Sequence, residues 1–300
     1  VSNIYDNPDY WFSGTPKKTK KSASSGGVPS ISSTRRNHKA NAKKTALNAV
    51  KGINKKLPQV VVKISGSSKG VNKAQSHADY IGRNGKVEIE DQDGNKYNGK
   101  NEQKDLLGSW SAMGMHDKHE TGSRKEAFHF VFSMPKGTNP DAMKTAVRNL
   151  VKEEFDGHKF FMAQHLDTDS PHCHVLLNAT NDKGERLNPR KQDLHNYRVA
   201  FVAKLKEQGI EATATRRIHQ FKYQDNKSQG SLHKNARTGV GQGGKKPTAS
   251  QLKAIQATHS EVAKQYKAYA DNLPSDQAEL KAEIKKMVES KATKDKGRGR

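Results

Sequence analysis

Residues 159–180 read KFFMAQHLDTDSPHCHVLLNAT. Two apolar runs, 159–167 and 172–180, flank the polar linker TDSP at 168–171. A linker this short joins neighbouring strands into an antiparallel hairpin. Side chains two apart on a strand share a face. His172 and His174 therefore point one way, while Cys173, Val175 and Leu177 point the other, toward a core. His165 ends the partner strand, and across a hairpin its ring comes within reach of both. Three neutral imidazoles with an open fourth position suit a catalytic divalent ion such as zinc, manganese or nickel. Asp167, Asp169 and Asn178 are candidate acceptors for the second ring nitrogens, which metal-ligating histidines need fixed. The simpler alternative is a wet surface turn with unrelated histidines.

Working outward, EAFHFVFSMPKG at 126–137 alternates Phe128, Phe130 and Phe132 with His129, Val131 and Ser133. That period of two predicts a strand with an aromatic core face, so His129 projects onto the side of the other histidines. QVVVKISG, from Gln59, is a β-branched run that predicts a buried strand, and VNKAQSHADYIG predicts a helix closed by Gly82. KVEIE is a strand whose turn, DQDGNKY, leads to a short return strand. NEQKDLLGSWSAMG predicts a helix with Leu106, Leu107, Trp110 and Met113 inward. NPDAMKTAVRNLVKEEF predicts another, with proline near its start. LHNYRVAFVAKLKEQG predicts a third, ending at Gly209. The order β-α-β(β)-α-β-α-β-β-α predicts an α+β fold: a mostly antiparallel central sheet, helices packed on one face, and the active site on the other.

The flanks read differently. Residues 1–57 are a basic tail without apolar period, expected to be disordered, with an aromatic patch at Tyr10–Phe12. Residues 58–223 hold the folded domain, and 224–247 a linker rich in glycine, serine and lysine. Beyond it Leu252, Ile255, His259, Val262, Tyr266, Tyr269 and Leu273 recur at spacings of three and four. Pro274 breaks that seam, and Leu280, Ile284 and Met287 mark a second helix. A C-terminal helical hairpin over 248–292 is expected, with His259 a packing residue and 293–300 frayed.

Lysine and arginine number 54 against 31 aspartate and glutamate, a net charge of +23 in 300 residues. Such a charge repels itself unless a polyanion shares it, and nucleic acid is the first candidate. No apolar run is long enough to span a bilayer, so no membrane insertion is expected. The single cysteine, Cys173, excludes an internal disulfide framework and zinc-finger arrays, and favours a reducing compartment.

A metal on a phosphate-seeking sheet suggests phosphoryl transfer. The nucleophile is then water or a side chain, and Tyr80 is the candidate side chain. It lies late in the first helix with His77 and Arg83 three residues to either side, on one helix face. His77 or Asp79 would take the phenolic proton. The alternative is a packing tyrosine.

In this order, QVVVKISGSSKG, HADYIGRNGKVEI, FHFVFSMPKG and HLDTDSPHCHVLLN resemble the conjugative relaxases. These mobilisation nucleases belong to the HUH endonuclease superfamily, and the branch resembled includes the T-DNA border endonucleases. The resemblance covers about Gln59 to Arg217. It implies that Tyr80 attacks a single-stranded DNA phosphodiester at a plasmid transfer origin, giving a 5′-phosphotyrosyl link and a free 3′ hydroxyl. His165, His172 and His174 match the metal ligands, for magnesium, manganese, zinc or nickel. Asp167 matches an acidic partner of that cluster, and His129 and Ser133 a middle motif beside the site. Lys69, Lys73, Arg83, Lys86, Arg190 and Lys191 flank the expected site as candidate phosphate contacts. The implied partners are single-stranded and supercoiled plasmid DNA, relaxosome accessory DNA-binding proteins and a type IV secretion coupling protein. The implied setting is the bacterial cytoplasm, with the DNA-linked form exported to a recipient cell. Three other readings compete: a rolling-circle initiator or transposase sharing the site, a non-catalytic single-strand binder, and a zinc hydrolase using water.

Overall fold

The computed structural model describes residues 50–112, 124–216, 218–221, 237–238 and 247–296. They form two units, one within Leu57–Ala214 and one combining residues up to Lys56 with those from Thr215 onward.

In the first unit the elements are β1 (Val61–Ser68), α1 (Val71–Ile81), β2 (Ile89–Asp91), β3 (Lys96–Tyr97) and α2 (Lys100–Ala112). Then come β4 (Ala127–Ser133), α3 (Pro140–Glu154), β5 (His158–His165), β6 (His172–Asn181) and α4 (Lys191–Glu207). The sheet runs β1-β4-β6-β5-β2-β3, with every neighbouring pair antiparallel. The fold is α+β. The β5–β6 hairpin pairs His165 with His172, and β4 lies along the other edge of β6 with Ser133 opposite His172. Met113, expected on the inner face of α2, lies outside the described residues.

Alternation along the strands divides the apolar residues between the two faces. Phe128, Phe130, Phe132, Phe160, Met162, Cys173 and Val175 meet α3 and α4 in the larger core. Each such aromatic contributes roughly 1.5–3 kcal/mol on leaving water. α3 starts where Asn139 caps it: Oδ1 accepts from the amides of Asp141 and Ala142 at 3.0 and 3.1 Å, with Pro140 in the first turn. Glu90, 2% exposed, is held by Arg148 and Lys144 from the same helix. Burial raises its carboxyl, but these cations outweigh that and hold it below the usual value.

The second face also carries helices. Ala74, Ala78 and Ile81 of α1, with Leu107 and Trp110 of α2, pack on Phe161, Ala163 and Leu176. The reading of helices on one face therefore needs an amendment. Three apolar side chains on the histidine side require a cover, and α1 supplies it while delivering Tyr80. Trp110 is fully buried beside Phe161, so it is a core residue.

The second unit begins earlier than expected. Residues 50–54, placed in the tail by composition, are helical, and Val50 and Ile53 are buried with the hairpin. The remainder of the tail, with Tyr10–Phe12, lies outside the described residues, as does most of the linker. The hairpin consists of α5 (Ala249–Asp271) and α6 (Ala278–Lys296). Val262, Tyr266, Ala270, Leu280, Ile284 and Met287 form its core. Tyr266 donates its hydroxyl to the His219 carbonyl at 3.1 Å, and His259 is buried edge-on to Phe221. No described helix is long and apolar enough to cross a membrane.

Candidate active site

Ring nitrogens of His165, His172 and His174 lie within 4.8 Å of one another. The ring centroids are 4.7–5.2 Å apart and no pair is stacked. Backbone carbonyls orient two of the rings. His165 donates Nε2–H to the Ile81 carbonyl at 2.6 Å, and His172 donates Nδ1–H to the Ser170 carbonyl at 3.1 Å. A carbonyl can only accept, so the tautomers follow: Nδ1 of His165, which faces Arg83 Nη2 at 3.4 Å, and Nε2 of His172 keep lone pairs. Nδ1 of His174 is buried without a hydrogen-bond partner among the described residues. Burial, with the neighbouring imidazoles next, pushes His174 down to about 3, and burial lowers His165 too. Neutral imidazoles whose nitrogens lie this close together fit a divalent ion.

Tyr80 stands beside this cluster on the last turn of α1. Its ring is edge-on to His174 at 6.2 Å and it is 56% exposed, unlike the buried residues on the inner face of its helix. A packing role does not account for that exposure. His77, one turn earlier, lies 6.0 Å from the Tyr80 ring and stacks on His129 at 3.6 Å and 7°. His129 does not join the three-histidine group. Its Nε2 is 2.7 Å from Oγ of Ser68, a fully buried residue. A register shift in β1 between Ile64 and Gly66 makes room for the pair: a Cβ at Gly66 would sit 3.1 Å from His129 Nδ1. Burial pushes His77 down to about 4 and His129 to about 3, the latter also through His77. Nε2 of His77 is buried and has no hydrogen-bond partner among the described residues. Asp79, the other candidate base, accepts from Gln75 Nε2 at 2.8 Å.

The segment after Tyr80 is tightly determined. The amide of Arg83 reaches the Tyr80 carbonyl at 3.3 Å and that of Asn84 the Asp79 carbonyl at 2.7 Å. This pattern ends a helix with a left-handed residue, usually glycine. Here Arg83 (φ 50°) and Asn84 (φ 55°) take that conformation, followed by Gly85 (φ 88°). For arginine it costs roughly 1–2 kcal/mol. Gln103, 1% exposed, braces the loop by donating to the Val87 carbonyl at 2.9 Å. Nothing in the local sequence marks that role, because a polar residue mid-helix usually faces solvent.

Two expected assignments change. Asp167 does not fix a histidine ring; its Oδ2 accepts from Arg83 Nη2 at 2.5 Å. The carbonyls of Ile81 and Ser170 have taken the ring partnerships, so the carboxylate is left to the guanidinium. Asp169 pairs with Lys136, and Asn178 Oδ1 accepts from the Thr180 amide. Arg190 does not flank the histidines. Leu187, three residues before it, bonds the Ala179 carbonyl. Ala179 is five strand residues beyond His174, about 16 Å along β6. Lys191 follows Arg190 at the start of α4, and its side chain lies outside the described set.

Of the remaining basic candidates, Arg83 is in the site. Lys69, just before α1, and Lys73, in its first turn, are exposed, about three and two turns from Tyr80. Lys86 lines a cleft of about 450 Å³ beside His165, together with Arg83, Glu88, Lys144, Leu166 and Asp167. Lys144 had no signal in the sequence, since helix α3 reaches this cleft only through tertiary packing.

Residues 80–210 match the relaxase family, described as the MobA/VirD2-like nuclease domain. That segment is a relaxase nuclease domain. The matched segment contains Tyr80, Arg83, His129 and the three clustered histidines, and DNA nicking is the activity of the family. Ser68 and His77 precede the match, and the helical hairpin follows it. No curated protein matches the chain.

Proposed function

We propose that this protein nicks and rejoins one strand of plasmid DNA at a transfer origin by tyrosine transesterification. The Tyr80 oxygen attacks a phosphorus of single-stranded DNA. The P–O bond to tyrosine forms as the bond to the 3′ oxygen breaks. His77 accepts the phenolic proton, and the 3′ oxygen leaves as a hydroxyl by taking a proton from solvent water. A neutral imidazole is the required form, and burial favours it at His77. The stacked His129, tied to Ser68, holds that ring in place. His165, His172 and His174 would hold a divalent cation, of magnesium, manganese, zinc or nickel, which when bound polarises a phosphoryl oxygen.

The observation that carries this reading is the exposed Tyr80 ring, 6.2 Å from His174 at the edge of a three-imidazole cluster. A tyrosyl phosphodiester conserves the energy of the broken bond, so reversal rejoins the ends. A water nucleophile would discard it. A replication initiator or transposase would share the chemistry and differ in target.

Export of the DNA-linked form, accessory DNA-binding proteins and a type IV coupling protein belong to the same proposal, as does kinship with T-DNA border endonucleases. The test is incubation with Mn²⁺ and a random-sequence library of single-stranded oligonucleotides, followed by denaturing electrophoresis. A covalent adduct is expected, lost in Tyr80→Phe and with chelator; sequencing the captured DNA reads the nick site. Cleavage without an adduct would favour the hydrolase, and retention without cleavage a simple binder.

A further inference from the structure

Arg83 holds a conformation that its own contacts do not repay. It occupies the left-handed position after α1 at which glycine is usual, and Asn84 beside it is left-handed too. Its ion pair with Asp167 is open to solvent, the two side chains being 36% and 53% exposed. Pairs that exposed contribute little to folding. Strain kept without a structural return marks a functional site. What the strain achieves is placement. The guanidinium carbon lies 5.4 Å from the Tyr80 ring centroid, and Nη2 is 3.4 Å from His165 Nδ1. Arg83 thus lies beside both the phenol ring and the imidazole cluster, within reach of a phosphate attacked by Tyr80. Nη2 makes both polar contacts, and no acceptor among the described residues meets Nε or Nη1. A planar fork with donors to spare is the side chain suited to two phosphoryl oxygens.

We infer that Arg83 is a catalytic residue that grips the non-bridging oxygens of the scissile phosphate, and that Asp167 is its positioning residue. The inference rests on the transesterase reading above and adds a phosphate ligand supplied by the chain itself. As the bond from phosphorus to Tyr80 forms and the bond to the 3′ oxygen breaks, charge gathers on those oxygens. The guanidinium offsets it without taking or giving a proton. Asp167 holds the fork in register and does not serve the histidines.

The decisive variant is Arg83→Gly. Glycine adopts the left-handed backbone freely, so the fold is kept and only the guanidinium is lost. Wild type, Arg83→Gly, Asp167→Asn and the double variant are compared for adduct formation with the captured oligonucleotide and Mn²⁺. Arg83→Gly should lower kcat by about 100-fold or more, and added guanidinium should recover at least a tenth of the activity. Arg83→Lys should stay impaired, because an ammonium lacks the fork. Asp167→Asn should lower kcat about tenfold in the wild-type background and not at all in Arg83→Gly, the signature of two residues acting as one. Mn²⁺ affinity, measured by calorimetry, should be unchanged in Asp167→Asn.

Wild-type adduct with Arg83→Gly unimpaired, or impaired but not rescued by guanidinium, overturns the phosphate contact and leaves transesterification standing. A tenfold loss of Mn²⁺ affinity in Asp167→Asn would make Asp167 a partner of the histidines and overturn its assigned role. Absence of any wild-type adduct across the library removes the transesterase reading itself, and this inference with it.

Discussion

Successive residues of β6 face two different environments. Cys173, Val175, Leu177 and Ala179 enter an apolar core, while His172, His174, Leu176 and Asn178 take the opposite face. The backbone is the same and the pairing partners are the same. The second face gathers imidazoles, and one ring nitrogen there, Nδ1 of His174, has no hydrogen-bond partner among the described residues. The first face is organised for stability and the second for binding, and a strand's period of two keeps the tasks apart at a distance of one residue. Burial acts on both. It pushes the Cys173 thiol up to about 12 and His174 down to about 3, in each case favouring the neutral form.

The comparison is sharpened first by truncating each face. Phe132→Ala, in the larger core, should cost about 3–5 kcal/mol in urea unfolding and threaten folding itself. His174→Leu should change stability by no more than about 1 kcal/mol, because it replaces an unpartnered buried nitrogen with hydrocarbon, while abolishing the DNA adduct. Equal destabilisation by the two substitutions would make the histidine face as structural as the aromatic one.

A smaller effect is set by acid. His77 and His174 titrate near 4 and 3 in the folded chain, against 6.5 when exposed. Below 6.5 the unfolded chain binds protons that the fold does not. Stability present above that value should therefore be lost progressively as pH falls toward 4 in metal-free protein. Urea midpoints at pH 7 and 4.5 would show it, and His77→Gln should flatten the dependence. The smallest effect belongs to the thiol. Cys173 should stay unreactive toward a disulfide reagent at pH 8 in the native state and react fully in denaturant. Native-state modification would mean that the core face opens.

Much of this was legible because it is local. The three histidines and their shared face followed from a short linker and strand alternation, and the aromatic face of β4 from the same rule. Tyr80 was only a candidate by its place late in a helix beside His77 and Arg83, and it was the family resemblance that favoured it as the nucleophile, a role that stands as the proposal above. The errors were errors of distance. Asp167, Asp169 and Asn178 were near the histidines in sequence, so they were read as acceptors for the cluster; the carbonyl that holds His165 belongs to Ile81, 84 residues away. Arg190 looked close to the site because it follows β6, yet a strand that leaves the site carries its successor away from it. Val50 and Ile53 were read as tail because two apolar residues carry no signal until a hairpin from the far end of the chain covers them.

Sequence by itself determined which residues alternate, where strands and helices begin, and that a heavily basic chain gathers three imidazoles at one turn. Those features depend on neighbours a few residues apart, whose geometry the peptide backbone dictates. Only the tertiary structure decided that α1 crosses the histidine face, that His77 stacks on His129 above Ser68, and that Arg83 is tethered to Asp167 beside the phenol and the cluster. These pairings join segments about 50 to 85 residues apart, and long-range contacts follow from the order in which strands enter a sheet, which no local pattern encodes.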